Sequence, residues 1–325
     1  MKRVAIGLPV FNGEEFLAAA VESILAQTFT DFDLFISDNA STDRTEEICR
    51  RFADRDSRVV YVRQTRNIGA IPNFNAVAGM SHSPYFKWAA HDDVLAPTYL
   101  AECVAVLDAN PSVVVASPAT SLIDEAGTAL AYSREKEGMI DNAGNCWPEL
   151  PEKNGDLVSS DPAVRFEAVV HHTNLCVEIF GLMRRSALSR CLPQGAYLGS
   201  DKVVIAKLCL IGPFWLGTEP LFYRRCHAQQ FSAQIMRTTA GTSRSQWFRG
   251  SSKSAFAHNI YFEKLILLGA YIRAITISDL TRRQRVACLG TVARRAASRK
   301  VWDTLTAPIL ALRSVRPPGR ASAWR

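Results

Sequence analysis

Tyr85-Phe86-Lys87-Trp88-Ala89-Ala90-His91-Asp92-Asp93-Val94-Leu95-Ala96-Pro97 is a mostly apolar run interrupted by two adjacent aspartates. Tyr85–Ala89 reads as a buried strand, which puts Asp92 and Asp93 at the edge of a sheet, where open α/β folds bind ligands. Two neighbouring carboxylates repel and are costly to hold unless a cation or a hydrogen-bonded ligand satisfies them. Hard divalent cations take one or two carboxylates plus substrate phosphates. The plainer alternative is a helix start, since Asp suits a cap and Pro97 can open a helix.

Outward from this run, short apolar segments alternate with helical patterns through the first 120 residues. Strands are expected at Val4–Leu8, Asp33–Ser37, Val59–Val62, Tyr85–Ala89 and Val113–Ala116, with helices at Glu14–Gln27, Thr42–Ala53, Ile71–Gly79 and Pro97–Asn110. In the first helix Phe16, Leu17, Ala20, Val21, Ile24 and Leu25 fall at helical spacing. Such alternation predicts a doubly wound, mostly parallel sheet flanked by helices. Beyond it, residues 133–160 are polar and rich in Gly and Pro and read as a long loop. A helix is expected over Pro162–Val170, β-type runs over Leu175–Met183 and Phe214–Tyr223, and a helix over Asp201–Ile211 capped by Ser200. Ile260–Ile275 and Arg282–Lys300 read as amphipathic helices, the second with Val286, Leu289, Val292 and Ala296 on one side. The tail after Pro308 reads as disordered.

The composition excludes several classes. Eight cysteines include no CxxC, which argues against a zinc ribbon or a thioredoxin-like site, and most of them lie in apolar stretches and read as core residues of a protein in a reducing cytosol. The N-terminal apolar run is too short for a signal peptide, and no run approaches the roughly 18 apolar residues of a spanning helix. Neither GxGxxG nor GxxxxGK[ST] is present. Charge is uneven: residues 282–325 carry eleven Lys/Arg and one acid, Asp303, for a net +10, leaving −3 on residues 1–281. Aromatic residues are sparse in that segment (Trp302 and Trp324), so nucleic acid is not the expected partner. An anionic membrane surface is, with a solvated helix face as the alternative.

Four polar signatures close successive strands. Pro9-Val10-Phe11-Asn12 ends the first, where Phe11 can stack on a flat ring or simply belong to a turn. Asp38-Asn39-Ala40-Ser41-Thr42-Asp43 ends the second, with Asp38 placed to accept from a ribose hydroxyl or a base N–H and the later residues suited to capping. Arg66-Asn67-Ile68-Gly69 follows the third, suiting a turn beside a ligand or a turn alone. His91-Asp92-Asp93 follows the fourth.

In order and spacing these four resemble the serial signatures of family 2 glycosyltransferases with the GT-A fold, over about the first 120 residues and more loosely to residue 235. The resemblance implies a nucleoside diphosphate sugar donor carrying UDP, dTDP or GDP. Pro9, Phe11, Asn12, Asp38 and Asn39 would hold the nucleoside, Asn67 and Gly69 would line the same pocket, and Asp92 would meet the ribose or sugar. Asp93 would ligate Mn²⁺ or Mg²⁺ on the diphosphate, and His227 of Tyr223-Arg224-Arg225-Cys226-His227 would complete the metal shell or contact phosphate, an exposed loop histidine being the alternative. Asp201, opening a later helix, would be the general base of an inverting transfer to a hydroxyl on a glycolipid, polysaccharide or other cell-envelope glycan, or else only a cap. Two departures stand out: Asn39 and Ala90 occupy positions where many members carry an acid. On this reading residues 1–235 form the catalytic domain, with a nucleotide-sugar half to residue 120 and an acceptor half from 121, and residues 236–325 form a basic helical extension. The expected location is cytoplasmic, peripheral on the inner face of the plasma membrane. A sugar-nucleotide pyrophosphorylase fits less well, because Leu8–Glu15 has no basic residue for phosphate. A non-catalytic nucleotide-binding module at a membrane remains the other alternative.

Overall fold

Seven consecutive buried residues make Val4–Val10 (β1) the centre of the protein. Val4, Ile6, Leu8 and Val10 enter one apolar core and Ala5 the other, as the two-residue period of a strand requires. The structure is a computed structural model that describes residues 1–148, 155–172, 176–230 and 260–298. After β1 come α1 (Leu17–Leu25), β2 (Phe32–Asp38), α2 (Thr45–Arg55), β3 (Val59–Arg63), α3 (Ala70–Gly79), β4 (Tyr85–Trp88), β5 (Val94–Leu95), α4 (Tyr99–Ala109) and β6 (Val115–Ile123). The expected first half is therefore present, with strand and helix ends moved by a few residues.

One eight-stranded sheet runs in the order β3-β2-β1-β4, then β10 (Leu182–Arg184), β6, β11 (Phe214–Arg225) and β5. β1 to β4 are mutually parallel, and β6 and β11 are parallel to each other. β10 lies antiparallel between β4 and β6, and β5 antiparallel on β11. Successive strands step from β1 to β2 and β3 and then cross back to β4 on the other side of β1. That reversal opens a crevice at the carboxyl ends of β1 and β4. Helix α3 seats closely beneath it, because Gly7 has no side chain: a Cβ there would lie 2.8 Å from the Phe86 ring and 3.0 Å from Val77.

Three expectations are corrected. The long loop of 133–160 contains a small antiparallel sheet of β7 (Ala131–Ser133), β8 (Gly138–Ile140) and β9 (Cys146–Trp147), and a 3₁₀ turn at Gly155–Val158. Its strands are too short to show a period. The β-type run at Leu175–Met183 is mostly a 3₁₀ turn, Val177–Phe180, that ends in β10; Gly181 turns there against Val115 and the Ala116 carbonyl, where no side chain fits. Ser200 is not a cap: it is the first residue of α7 (Ser200–Ile211), and the left-handed Gly199 (φ 81°) precedes it.

Helices α5 (Pro162–Glu167) and α6 (Arg185–Ser189) complete the second half. The final helices, α8 (Ile260–Ile277) and α9 (Arg282–Ala297), pack into the core beneath α5 and α7 through Tyr271, Ala274, Ile275, Cys288 and Val292. The apolar side expected for α9 is only partly its buried side: Val292 is buried with Cys288 and Thr291, whereas Val286 is 63% and Leu289 39% exposed. The tail expected to be disordered lies outside the described residues.

Candidate active site

Strand register alone assembles the acidic cluster. Gly7 pairs with Trp88, and the Ala89 amide bonds the Gly7 carbonyl at 2.9 Å, so residues 89–93 run alongside the end of β1. Val94 then pairs with Tyr223, which places Asp92 and Asp93 beside Arg225 and His227. Arg225 in turn pairs with Ile123, bringing the Asp124–Glu125 turn to the same point.

Asp92 and Asp93 are both nearly buried. The His227 ring, through Nε2, lies 3.0 Å from Asp92 Oδ2, and its other face packs on Phe16 at 4.7 Å between ring centroids. Asp93 Oδ1 accepts the Arg225 backbone N–H at 3.0 Å. Burial pushes the Asp93 carboxyl up to about 8, with the neighbouring Asp92 charge acting in the same sense. Burial also opposes ionisation of Asp92, but the His227 hydrogen bond and the electrostatic influence of the His91 and His227 side chains outweigh it and hold that carboxyl below its usual range. One aspartate is thus held as the anion while the other is strained toward protonation.

The Arg225 side chain turns inward. Nε donates to the Asp92 carbonyl at 2.9 Å, and Nη1 to the carbonyls of Asp124 and Glu125 at 2.9 and 2.8 Å. Its guanidinium lies 5.0 Å from the Phe16 ring centre. Arg225 thus fastens the aspartate loop to β11 and to the Asp124–Glu125 turn.

The loops after β1, β2 and β3 are tied to one another. Asn12 sits at positive φ (51°), accepts the Thr42 amide on its side chain at 2.9 Å, and donates its own amide to Ser41 Oγ at 2.9 Å. Pro9 is buried at the end of β1, while Phe11 stands 42% exposed at the rim. Asn39 donates to Asn67 Oδ1 at 3.0 Å and accepts the Ile68 amide at 2.8 Å. Asn67 also accepts the Gly69 amide at 2.9 Å, and Gly69 opens α3 at φ 91°. This explains Asn where an acid was expected: only an amide both donates and accepts across this loop. Asp38, at the end of β2, is fully buried and receives Arg63 at 2.7 Å, Tyr61 at 2.9 Å and the Ser41 amide at 2.8 Å, so its carboxylate is already hydrogen-bonded to β3 and to the loop after β2. The β1 loop touches the aspartate loop at Gly13, where a Cβ would meet the His91 ring at 2.8 Å.

Asp201 belongs to a separate cluster in the first turn of α7. Its Oδ1 accepts the Lys202 amide at 2.8 Å, and Lys202 sends its ammonium to the Val170 carbonyl instead of to Asp201. Burial raises the Asp201 carboxyl above its usual range. The start of α7 is joined to α3 through Gln194, which bonds Ser200 Oγ at 3.0 Å and exchanges two hydrogen bonds with Asn75 at 2.8 Å each. Sequence reasoning missed Phe16, Gln194 and Asn75; each looked like ordinary helix or loop composition.

Below the site, Lys87 on β4 is fully buried. Its ammonium donates to the Phe180 carbonyl and lies 4.5 and 5.2 Å from the ring centres of Tyr99 and Phe222. Burial pushes it down to about 7.

An open α/β sheet with an acid-bearing crevice at its strand ends defines the class. The chain belongs to glycosyl transferase family 2: the family model matches residues 5–171, a little over half of its length. An uncharacterised glycosyltransferase of Rickettsia prowazekii is 30% identical over 142 residues, which is 41% of this chain and 43% of that protein. One from Rickettsia felis is 28% identical over 236 residues, 71% of this chain but 35% of its relative. The chain thus spans less than half the length of these relatives. Among solved structures, residues 1–349 of S. aureus TarS in complex with UDP-GlcNAc superpose with a TM-score of 0.63 over 94% of this chain and 79% of that one, at 14% identity. That likeness is one of fold, the GT-A type.

Proposed function

We propose that this chain is an inverting glycosyltransferase that moves a sugar from a nucleoside diphosphate sugar to a hydroxyl acceptor. The observation that carries the reading is the convergence of Asp92, Asp93 and His227 on the crevice beside the tied β1–β3 loops. The exposed ring of Phe11 would stack on the base, and Asn12, Asn67 and Gly69 shape the wall around it. A uridine diphosphate sugar is the first donor to test, since TarS was solved with UDP-GlcNAc; dTDP and GDP sugars follow.

The residues fit a divalent cation, Mn²⁺ or Mg²⁺. Adjacent buried carboxylates crowd one point, and the buried His227 Nδ1 has no hydrogen-bond partner among the described residues. No group of three His, Cys, Asp or Glu forms a ready metal cage among the described residues, which suits an ion that shares its shell with a diphosphate. Asp93 would hold it, with His227 nearby, and when bound the ion would neutralise charge on the leaving nucleoside diphosphate. Asp92, kept ionised by His227, would accept from a donor hydroxyl. Asp201 would take the proton of the acceptor hydroxyl at Oδ; its raised affinity for a proton suits a base working near neutral pH. The acceptor is read as a glycolipid or other cell-envelope glycan, and a peripheral place at a membrane would accord with it. No helix among the described residues is long and apolar enough to cross one.

The test is a thermal-shift screen of UDP-, dTDP- and GDP-sugars with and without Mn²⁺, followed by donor turnover. A ligand that binds only the native state raises its melting temperature by mass action. A metal-dependent shift together with turnover supports the reading. Binding without turnover, given metal and acceptors, would leave a non-catalytic nucleotide module, and no shift with any donor would sink both.

A further inference from the structure

The last two described helices are apolar on more sides than the protein uses. Helix α8 lies on α7 and α9 lies on α5, and α5 and α7 pack on each other, so the hairpin forms an outer layer with one side turned away from the core. The inner side is accounted for by Tyr271, Ala274, Ile275, Cys288 and Val292, with Tyr271 edge-on to Phe166. The outer side exposes Leu265 (53%), Ile272 (44%), Ile277 (61%), Val286 (63%) and Leu289 (39%). Arg273, Arg282 and Arg283 are exposed among these residues, and none of the three pairs with a carboxylate among the described residues. The hairpin, residues 260–298, holds seven Lys/Arg and two acids, Glu263 and Asp279, of which Asp279 pairs with Arg190.

The hairpin is rigid where it bends. Thr281 and Gln284 form a capping box at the start of α9, and Arg285 donates to the carbonyls of Ile275, Thr276 and Ser278 at the end of α8. It also adjoins the candidate base: a Cβ on Gly199, two residues before Asp201, would lie 3.6 Å from Leu267 of α8.

We infer that the outer face of the α8–α9 hairpin docks on an anionic lipid bilayer, with α8 lying between that bilayer and the start of α7. Three features select this occupant. Aliphatic side chains set among arginines match the headgroup boundary, where the chains enter the acyl region and the guanidinium groups meet phosphates. Stacking on nucleic acid would need aromatic side chains, and among the described side chains of this face the exposed apolar ones are all aliphatic. A two-fold contact with a second copy would bring unpaired arginines of one face against those of the other, which costs energy unless anions intervene. The docking does not rest on the transferase reading; taken together with that reading, it implies an acceptor presented at a lipid surface.

The experiment is co-sedimentation of the full chain with phosphatidylcholine vesicles, with and without a phosphatidylglycerol fraction. Wild type is compared with Val286→Asp/Leu289→Asp and with Arg282→Glu/Arg283→Glu, all exposed positions whose melting temperature should stay at the wild-type value. The expected result is binding to the anionic vesicles only, released by high salt, and about tenfold weaker partition in each double variant. Equal binding to neutral vesicles overturns the inference. So does unchanged binding in both variants, which would assign the attraction to basic residues outside this face. A wild-type dimer by light scattering that becomes monomeric in Val286→Asp/Leu289→Asp also overturns it, by making the face a self-contact. Donor-induced thermal shifts on the same variants read the transferase proposal separately: their absence with intact vesicle binding would remove the enzyme reading and leave the docking surface.

Discussion

Replacing Arg225 by Met tests whether the aspartate loop is held from behind. The guanidinium is buried and its three hydrogen bonds end on backbone carbonyls of Asp92, Asp124 and Glu125. Met keeps the length and the contact with Phe16 but donates nothing. Water can reach the carbonyl of the exposed Glu125, which leaves two buried acceptors unpaired at about 1–3 kcal/mol each. Part of that loss is offset because a charge no longer has to be desolvated. The net expectation is a loss of about 2–4 kcal/mol, or a fall in melting temperature of roughly 3–6 °C for a chain of this size. Function should fall further than stability. Freed from Arg225, the Asp92 carbonyl no longer fixes the loop, and a displacement near 1 Å at a reacting centre costs about 10²-fold in rate. Arg225→Lys, with one donor group in place of the fork, should recover only part of either loss. Circular dichroism melts and kcat and KM for the donor, measured where each variant is fully folded, give the answer. If Arg225→Met melts lower yet turns over with wild-type kcat and the same metal dependence, Arg225 is only a core strut and the positioning argument fails.

Asp93→Asn should abolish metal-dependent donor binding while the melting temperature stays close to wild type, because it removes a buried ionisable group without removing volume; wild-type turnover by the purified variant would refute the metal assignment. Asp201→Asn should leave donor affinity nearly unchanged and lower transfer by roughly 10²–10⁴-fold, the usual share of a positioned base; transfer within a few-fold of wild type would make Asp201 a helix-start residue only. Lys87 predicts a pH dependence. Its folded value near 7 lies below the ordinary 10.5, so the unfolded chain binds more protons between those values and this group's contribution makes stability rise with pH across that window. Below pH 7 the penalty is complete, on the order of 3–5 kcal/mol. Lys87→Met should therefore gain most over wild type below neutrality and lose that advantage toward pH 10; denaturant melts showing a pH-independent difference would contradict it.

Much of this protein was legible in one dimension. The alternation of strand and helix through residue 120 set the parallel sheet, because a buried strand, a helix and the turn between them are each written in local periodicity. The four polar signatures fell at strand ends for the same reason. Their roles were another matter. Asp38 and Asp92 look alike in sequence, each an acid after an apolar run, yet Asp38 is sealed by Tyr61 and Arg63 while Asp92 meets His227 across 135 positions of chain. Which partner reaches a carboxylate first depends on the register of neighbouring strands, and no local pattern encodes that. Val286, Leu289 and Val292 share one side of α9 by helical spacing, yet only Val292 is buried, because period fixes which residues share a face and not which face is covered. The neighbours available decide which face is covered, and here Cys288, Thr291 and Val292 fitted against the helices beneath. Local periodicity set the strands, the helices and the acids at the sheet edge. Contacts between segments far apart in the chain set which partners hold each acid and which helix surface stays exposed, because strand register and packing bring those segments together.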